Sequence, residues 1–197
     1  MEHSVNERFF SDFNEGIVVD GDSHIHLSYK IFINYFSSLK VIDLSNVIIG
    51  AYFTYGWMPT MLTLNTESNL LNEIVDISNK VKNGAIIATE EISVVAKVIN
   101  NSIVGASKYL HFVNPNLHAI WDSRVYRYLH QKKPHGYRVN CPNTYLEYLN
   151  ILNQLSFDER FASLKKNLKL DLGYEITNNR AGELAMFVMG APPATKA

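Results

Sequence analysis

Residues 105–129 read "GASKYLHFVNPNLHAIWDSRVYRYL". Upstream, "INNS" ends one helical pattern and begins another. Asn100 and Asn101 tolerate left-handed backbone angles, and Ser102 is a natural N-cap for the next helix. The spacing predicts that helix over about 102–113, with Ile103, Ala106, Leu110 and Val113 on one apolar stripe. Val104, Lys108 and His111 share a different stripe at i, i+4 and i+7. Pro115 stops that helix, "NLHAI" is a short apolar crossing, and Asp122 or Ser123 stands where a second helix, about 122–130, begins. Val125 and Leu129 anchor it to the core. The stretch has two readings. Asp122 is a helix cap, or it is a carboxylate held at a helix terminus and turned toward a ligand; one oxygen can serve each purpose. Lys108 is a surface lysine resting its stem on apolar neighbours, or it faces Asp122.

The rest of the chain repeats the helical pattern. Residues 1–20 look weakly structured. "DGDS" at 20–23 offers Asp22 or Ser23 as a cap, and Leu27, Ile31, Tyr35 and Leu39 then recur at helical spacing. "LSNVIIGAYFTYG" reads as a helix with Ser45 as cap, ending at Gly56, where Pro59 pushes Met58 out of α geometry. Thr66 is placed to cap a helix carrying Leu70, Leu71, Ile74, Ile77 and Val81, closed by Asn83-Gly84. Thr89 opens another with Ile92, Val95 and Ile99, and Glu90 and Glu91 suit its positive end. "QKKPHGYRVNCPN" is a turn-rich loop with room for a short strand. "TYLEYLNILNQL", "DERFASLKKNL" and "NNRAGELAMFVMG" are three further helices, punctuated by Gly190 and Pro192. Only "GAIIA" and "YRVN" look strand-like. The expected class is all-α: one helical domain over residues 1–197, undivided or built of two lobes with a cleft between them.

Composition narrows the function classes. The 197 residues are 47% hydrophobic and 19% charged, as in a globular chain. A formal net charge of −1 supplies no general field for nucleic acid or anionic membrane, so contact with DNA requires a local basic patch. The lone Cys141 excludes an internal disulfide and points to a reducing, cytoplasmic setting. "MEHSVNERFF" lacks the apolar core of a signal peptide, and "VIIGAYF" is too short to cross a bilayer.

"ASKYLHF" and "AIWDSRVYRYL" resemble the helix-hairpin-helix DNA glycosylase superfamily, most closely its archaeal-type 8-oxoguanine DNA glycosylase branch. The match runs without a gap from Ala106 to Asp122 and covers about 35 of 197 residues, Val95 to Leu129. The resemblance implies DNA-repair chemistry: a hydrolase excising a modified base from DNA, with a lysine attacking the anomeric carbon of a flipped nucleotide and an aspartate stabilising the developing positive charge. Asp122 falls on the aspartate position. The family's lysine position falls on Val104, and Lys108 lies one turn further along the same stripe, about 6 Å away. Asn100 and Ser102 replace the family's hairpin glycines. A nucleophilic lysine must spend time neutral, and His111 and Arg124 are nearby cations able to lower its proton affinity. The same fold without chemistry is the alternative: a binding or interaction protein, as in a phage-defence or mobile-element setting, taking DNA, a nucleotide or a protein partner.

Other residues carry paired readings. Tyr55, Trp57 and Trp121 can stack on a base or pack in the core. Arg180 and Glu183 are a surface i, i+3 pair, or Arg180 turns inward toward Asp122. The histidines of "HIH" (24–26), with His111, His118, His130 and His135, lack the spacing of a metal site, so no metal or other cofactor is expected. "QKKPHGYR" with Arg124, Arg127, Lys165 and Lys166 is either a phosphate-binding face or an ordinary solvated run. There is no Walker loop, no dinucleotide fingerprint and no nucleophile elbow.

Overall fold

The hairpin at 99–102 is where the chain's local preferences are plainest. Asn100 and Asn101 take positive φ angles of 60° and 49°, and Ser102 caps the next helix by accepting from the Gly105 amide at 3.1 Å. The turn is held from both sides. Asn140 accepts from the Ile103 amide at 2.6 Å and donates to the Asn101 carbonyl at 3.0 Å. Asn100 accepts from the Thr63 amide and donates to the Met61 carbonyl at 3.1 Å, next to a single antiparallel bridge between Leu64 and Ile99.

The computed structural model describes residues 2–14, 19, 24–57 and 60–192. Its elements are all helices: α1 (Glu2–Asn14), α2 (His24–Ser38), α3 (Leu44–Gly56), α4 (Ser68–Lys82), α5 (Thr89–Val98), α6 (Ile103–Val113), α7 (Ser123–His130), α8 (Gly136–Val139), α9 (Pro142–Ser156), α10 (Arg160–Leu172) and α11 (Asn178–Met189). Among the described residues no helix is long and apolar enough to cross a membrane. The helix α6 is central, packing on α2, α3, α4 and α5, while α11 packs mainly on α7 and α9. Tyr109, Leu110, His111 and Phe112 of α6 are all essentially inaccessible.

Several local expectations need correction. Residues 2–14 form a helix, because Phe9 and Phe10 are buried in the core and Arg8 donates to the Tyr128 and Leu129 carbonyls at the end of α7. Tertiary burial supplies what the weak local pattern lacks. On α2 the Leu27 and Ile31 side chains point to solvent at 60% and 58% exposure, and the core face carries His26, Tyr29 and Phe36 instead. The cap of α3 is Asp43, which exchanges bonds with Asn46 in a capping box, rather than Ser45. The cap position of α4 is Glu67, one residue past Thr66. "GAIIA" is an extended loop, and "YRVN" is mostly the short helix α8, so neither becomes a strand. The proposed Asp22 or Ser23 cap and the Met58-Pro59 turn lie outside the described residues.

The crossing between α6 and α7 is buried, and its backbone is satisfied by side chains, as a buried loop requires. Tyr145 and Tyr148 of α9 donate to the Ala119 and Ile120 carbonyls at 3.2 and 2.9 Å. The Trp121 amide donates to Ser107 Oγ at 3.0 Å, and the indole N–H donates to the Val139 carbonyl at 2.8 Å. This bracing fixes where Asp122 emerges.

Candidate functional site

Asp122 caps α7 with one oxygen: Oδ1 accepts from the Arg124 and Val125 amides at 2.8 and 3.0 Å. No bond to its second oxygen is present among the described residues. Lys108 projects from α6 close enough that the charge of Asp122 acts on its amine. The lysine is half-buried and makes no hydrogen bond or ion pair with any described residue. Burial pushes the amine below the usual lysine range, Asp122 and Glu183 pull it back up, and Arg180 pushes it down again. The last of these is the like-charge effect that a nucleophilic lysine needs, and it comes from α11 rather than from His111 or Arg124.

Arg180 and Glu183 are not a surface pair. They are 3% and 2% exposed and form an ion pair with each other. The start of α11 is carried inward by the turn after α6: Thr177 caps α11 by accepting from the Arg180 amide at 3.1 Å and donates to the Pro115 carbonyl at 2.9 Å. The Arg180 guanidinium lies over the Tyr29 ring at 4.6 Å, and its Nε is buried without a hydrogen-bond partner among the described residues. Glu183 is pushed up to about 7, by burial first, with Arg180 opposing and the like charge of Asp122 adding to it.

The aromatic residues divide. Trp57 is half-buried; it stacks on Tyr29 at 5.9 Å, meets Phe112 edge-on at 5.0 Å and donates its indole N–H to Ser28 at 2.8 Å. Tyr29 also stacks on Tyr174 at 6.0 Å. A row of rings, Trp57, Tyr29 and Tyr174, therefore runs beside Arg180. Trp121 is fully buried and offers no free face. Tyr55 is 6% exposed and packs against the hairpin, its hydroxyl 2.7 Å from where a Cβ on Gly105 would stand. Arg124 lies over Phe187 at 4.4 Å.

His111 is a core residue. Its Nδ1–H donates to the His118 carbonyl at 2.7 Å, which leaves Nε2 to accept from the Tyr29 hydroxyl at 2.9 Å. Burial, with Arg180 adding to it, holds the imidazole down to about 3. His118 is likewise held to about 4 by burial. Among the described residues no three His, Cys, Asp or Glu side chains gather closely enough to hold a metal ion. The basic run does not form one face. Arg127, Gln131, Lys132 and Lys133 line a groove of ≈ 320 Å³ at the end of α7, while Lys165 is bonded to Asn178 at 2.9 Å.

Lys108, Asp122, Arg180 and Glu183 are thus brought within one another's electrostatic reach, while Trp57 stands one ring away, stacked on the Tyr29 that lies against Arg180. Trp121, His111 and Tyr55 serve the surrounding core. Tyr29 and Tyr174 also belong to the site, and sequence reasoning misses both. The available signal is the run His26, Tyr29, Ile33 and Phe36, an alternative stripe on α2. Comparison with protein-family models, curated proteins and solved structures finds no match for the chain.

Proposed function

We propose that this chain is a helix-hairpin-helix, glycosylase-like domain that acts on DNA, with Lys108 as the nucleophile and Asp122 as the carboxylate stabilising positive charge at the sugar. The supporting observation is the state of Lys108: an amine without a bonded partner among the described residues, disfavoured as an ammonium by burial, within electrostatic reach of a helix-capping carboxylate. In this reading the amine attacks the anomeric carbon of a nucleotide turned out of the stack. The base leaves with the bonding pair, and the charge accumulating on the sugar is met by Asp122. Trp57, half-buried and stacked on Tyr29, provides an aromatic ring for the base. The groove around Arg127, Lys132 and Lys133 lies about 12 Å from Asp122 along α7 and suits backbone phosphates.

The test is reductive trapping with borohydride on duplexes containing an abasic site or 8-oxoguanine. A covalent adduct lost in Lys108→Ala supports the proposal, and an adduct that survives in that variant moves the chemistry elsewhere. Val104 at the family's lysine position favours a second reading, a non-catalytic binding domain of the same fold. That reading predicts retarded DNA migration with no adduct; neither adduct nor retardation from the folded chain sinks both.

A further inference from the structure

Helix α3 contains no Lys, Arg, Asp or Glu, and Lys30 is the only such residue in α2. Both helices nevertheless turn one face to solvent. Leu27 and Ile31 stand one turn apart on α2, and Ile48, Ile49 and Tyr52 stand on α3, all five between 37% and 62% exposed. The two helices lie against each other along a seam. Phe32 stacks on Phe53 with ring centroids 4.2 Å apart, the Tyr35 ring meets Phe53 edge-on at 5.6 Å, and Asn46 donates to the Tyr35 hydroxyl at 2.9 Å. Tyr35 lies one turn beyond Ile31, and Phe53 one turn beyond Ile49. The exposed residues therefore flank the seam from both sides and form one surface. Lys30 is turned away from it, its ammonium over the Tyr174 ring at 5.3 Å. Lys40 and Asp43, in the turn joining the helices, form part of its rim.

We propose that the α2–α3 face is the contact surface of a symmetric dimer of this chain. The proposal does not depend on the glycosylase reading. Single exposed apolar residues are ordinary, but five joined over one seam are not. Together they present on the order of 500 Å² of apolar surface, toward the upper end of what a monomer leaves in water. Homodimer interfaces are about 65% apolar, so a patch of this size with its polar rim covers about 800 Å² per partner, the area of a standard stable interface. The absence of charge points to the occupant. A two-fold axis sets a patch against itself, so a charge at its centre would meet its own copy. The five residues carry none, and an acidic or basic partner would find nothing complementary among them. Membrane-surface helices keep a cationic face toward water, whereas the inner faces of α2 and α3 carry Phe36, Val47 and Ala51 into the core. Tyr52 supplies the aromatic anchor that such contacts favour.

The experiment is sedimentation velocity of the intact chain from about 1 to 200 μM, a range that captures a dimer of micromolar or tighter affinity. The native chain is expected to sediment as a dimer at the upper end. Ile31→Glu and Ile49→Glu each place two copies of a carboxylate in the contact and should weaken it by about 100-fold or more. Leu170→Glu changes a residue 70% exposed on α10 and should leave the dimer unchanged. Carbene footprinting of the native chain gives a reading that needs no variant. Leu27, Ile31 and Tyr52 should lose labelling between the dilute and the concentrated sample, and Leu170 should not. A chain that stays monomeric throughout overturns the proposal, and binding of that monomer to phosphatidylcholine vesicles would assign the face to lipid instead. A dimer that persists in both glutamate variants, or that leaves the labelling of Leu27 and Ile31 undiminished, overturns it as well, because the contact then lies elsewhere.

Discussion

Two arginines hold carboxylates close to them in sequence, with opposite consequences. Arg160 sits on the surface, bonded to Asp158 at 2.7 Å and Glu7 at 3.0 Å, with its own side chain 40% exposed. Arg180 is bonded to Glu183 with both side chains under 5% exposed. At the surface Asp158 is held well below the usual carboxylate range, because its bond to Arg160 outweighs a small desolvation. In the interior Glu183 is pushed up despite its arginine, because desolvation wins. Arg160 forks onto both Asp158 oxygens, whereas Arg180 reaches Glu183 through one terminal nitrogen, so fewer bonds and less solvent together reverse the sign.

The widest separation between the two regions is expected in the pH dependence of stability. His111 and His118 are held to about 3 and about 4 in the folded chain, so the unfolded chain binds their protons first. Stability present above about pH 6.5 is lost as pH falls. Glu183 works in the opposite sense: the folded chain keeps its proton up to about pH 7, so stability is lost as pH rises from about 4.5 to 7. Two histidines outweigh one glutamate between those limits. Chemical denaturation should therefore find maximal stability near pH 6.5, with an acid loss approaching the whole folding free energy of a domain, about 5–15 kcal/mol. A flat profile between pH 4 and 7 would show that the interior groups are hydrated in solution.

Removing one partner separates the pairs next. Above pH 7, where Glu183 is ionised in the parent, Arg180→Met leaves its carboxylate enclosed beside Asp122 without a counter-charge and should cost about 3–5 kcal/mol. The loss should be smaller below pH 6, where Glu183 is neutral. Arg180→Met with Glu183→Leu should recover most of the loss, since the interior then holds neither charge. Urea titrations of the three proteins test this. A double variant as weak as the single one would mean that packing around Tyr29, not charge, is what Arg180 supplies.

The same contrast explains how much can be read from the chain. Short segments that dictate their own backbone are the best read: Asn100 and Asn101 are left-handed, Ser102 and Asp122 cap α6 and α7, and Asn83-Gly84 closes α4, although the caps of α3 and α4 fall on Asp43 and Glu67 and not on Ser45 and Thr66. Where long-range burial decides, expectation and structure part. The Leu27 and Ile31 stripe marks the right helix but the wrong face, because Tyr29 and Phe36 reach the core from the other side. Glu2–Asn14 becomes a helix only by docking Phe9 and Phe10. Arg180 shows the limit for the site. Its spacing from Glu183 fits a surface pair as well as a buried one, and nothing local says that Thr177 will fold the start of α11 against the turn at Pro115. Asp122 is visible as a cap, but its nearness to Lys108 depends on a crossing braced by Tyr145, Tyr148 and Ser107, residues distant in sequence or unremarkable in it.

Lys108 is an intermediate case, half-buried with no bonded partner among the described residues. Lys108→Met keeps the apolar stem and removes an amine that loses hydration on folding, so stability should rise by about 1 kcal/mol. The gain should be largest at neutral pH and below, where the amine must otherwise carry a proton. A thermal unfolding comparison at pH 6 and 9 measures it. A loss of stability in place of a gain would mean that Lys108 is ion-paired with Asp122 or Glu183 in solution, which also weakens its candidacy as a nucleophile.

The smallest effect belongs at the surface. Glu7→Gln takes a charge from the Arg160 cluster at a side chain 58% exposed. Arg160 keeps its bonds to Asp158 and its place over the Phe10 ring at 4.3 Å. Exposed pairs contribute little once side-chain ordering and salt screening are counted. Thermal unfolding of Glu7→Gln should therefore superimpose on the parent at physiological salt, even though the bond it weakens joins α1 to the rest of the fold. A drop comparable to that of Arg180→Met would mean that α1 is held on by this charge rather than by Phe9 and Phe10. The contrast between the two arginines would then reflect which helices they join, and not how much water each one sees.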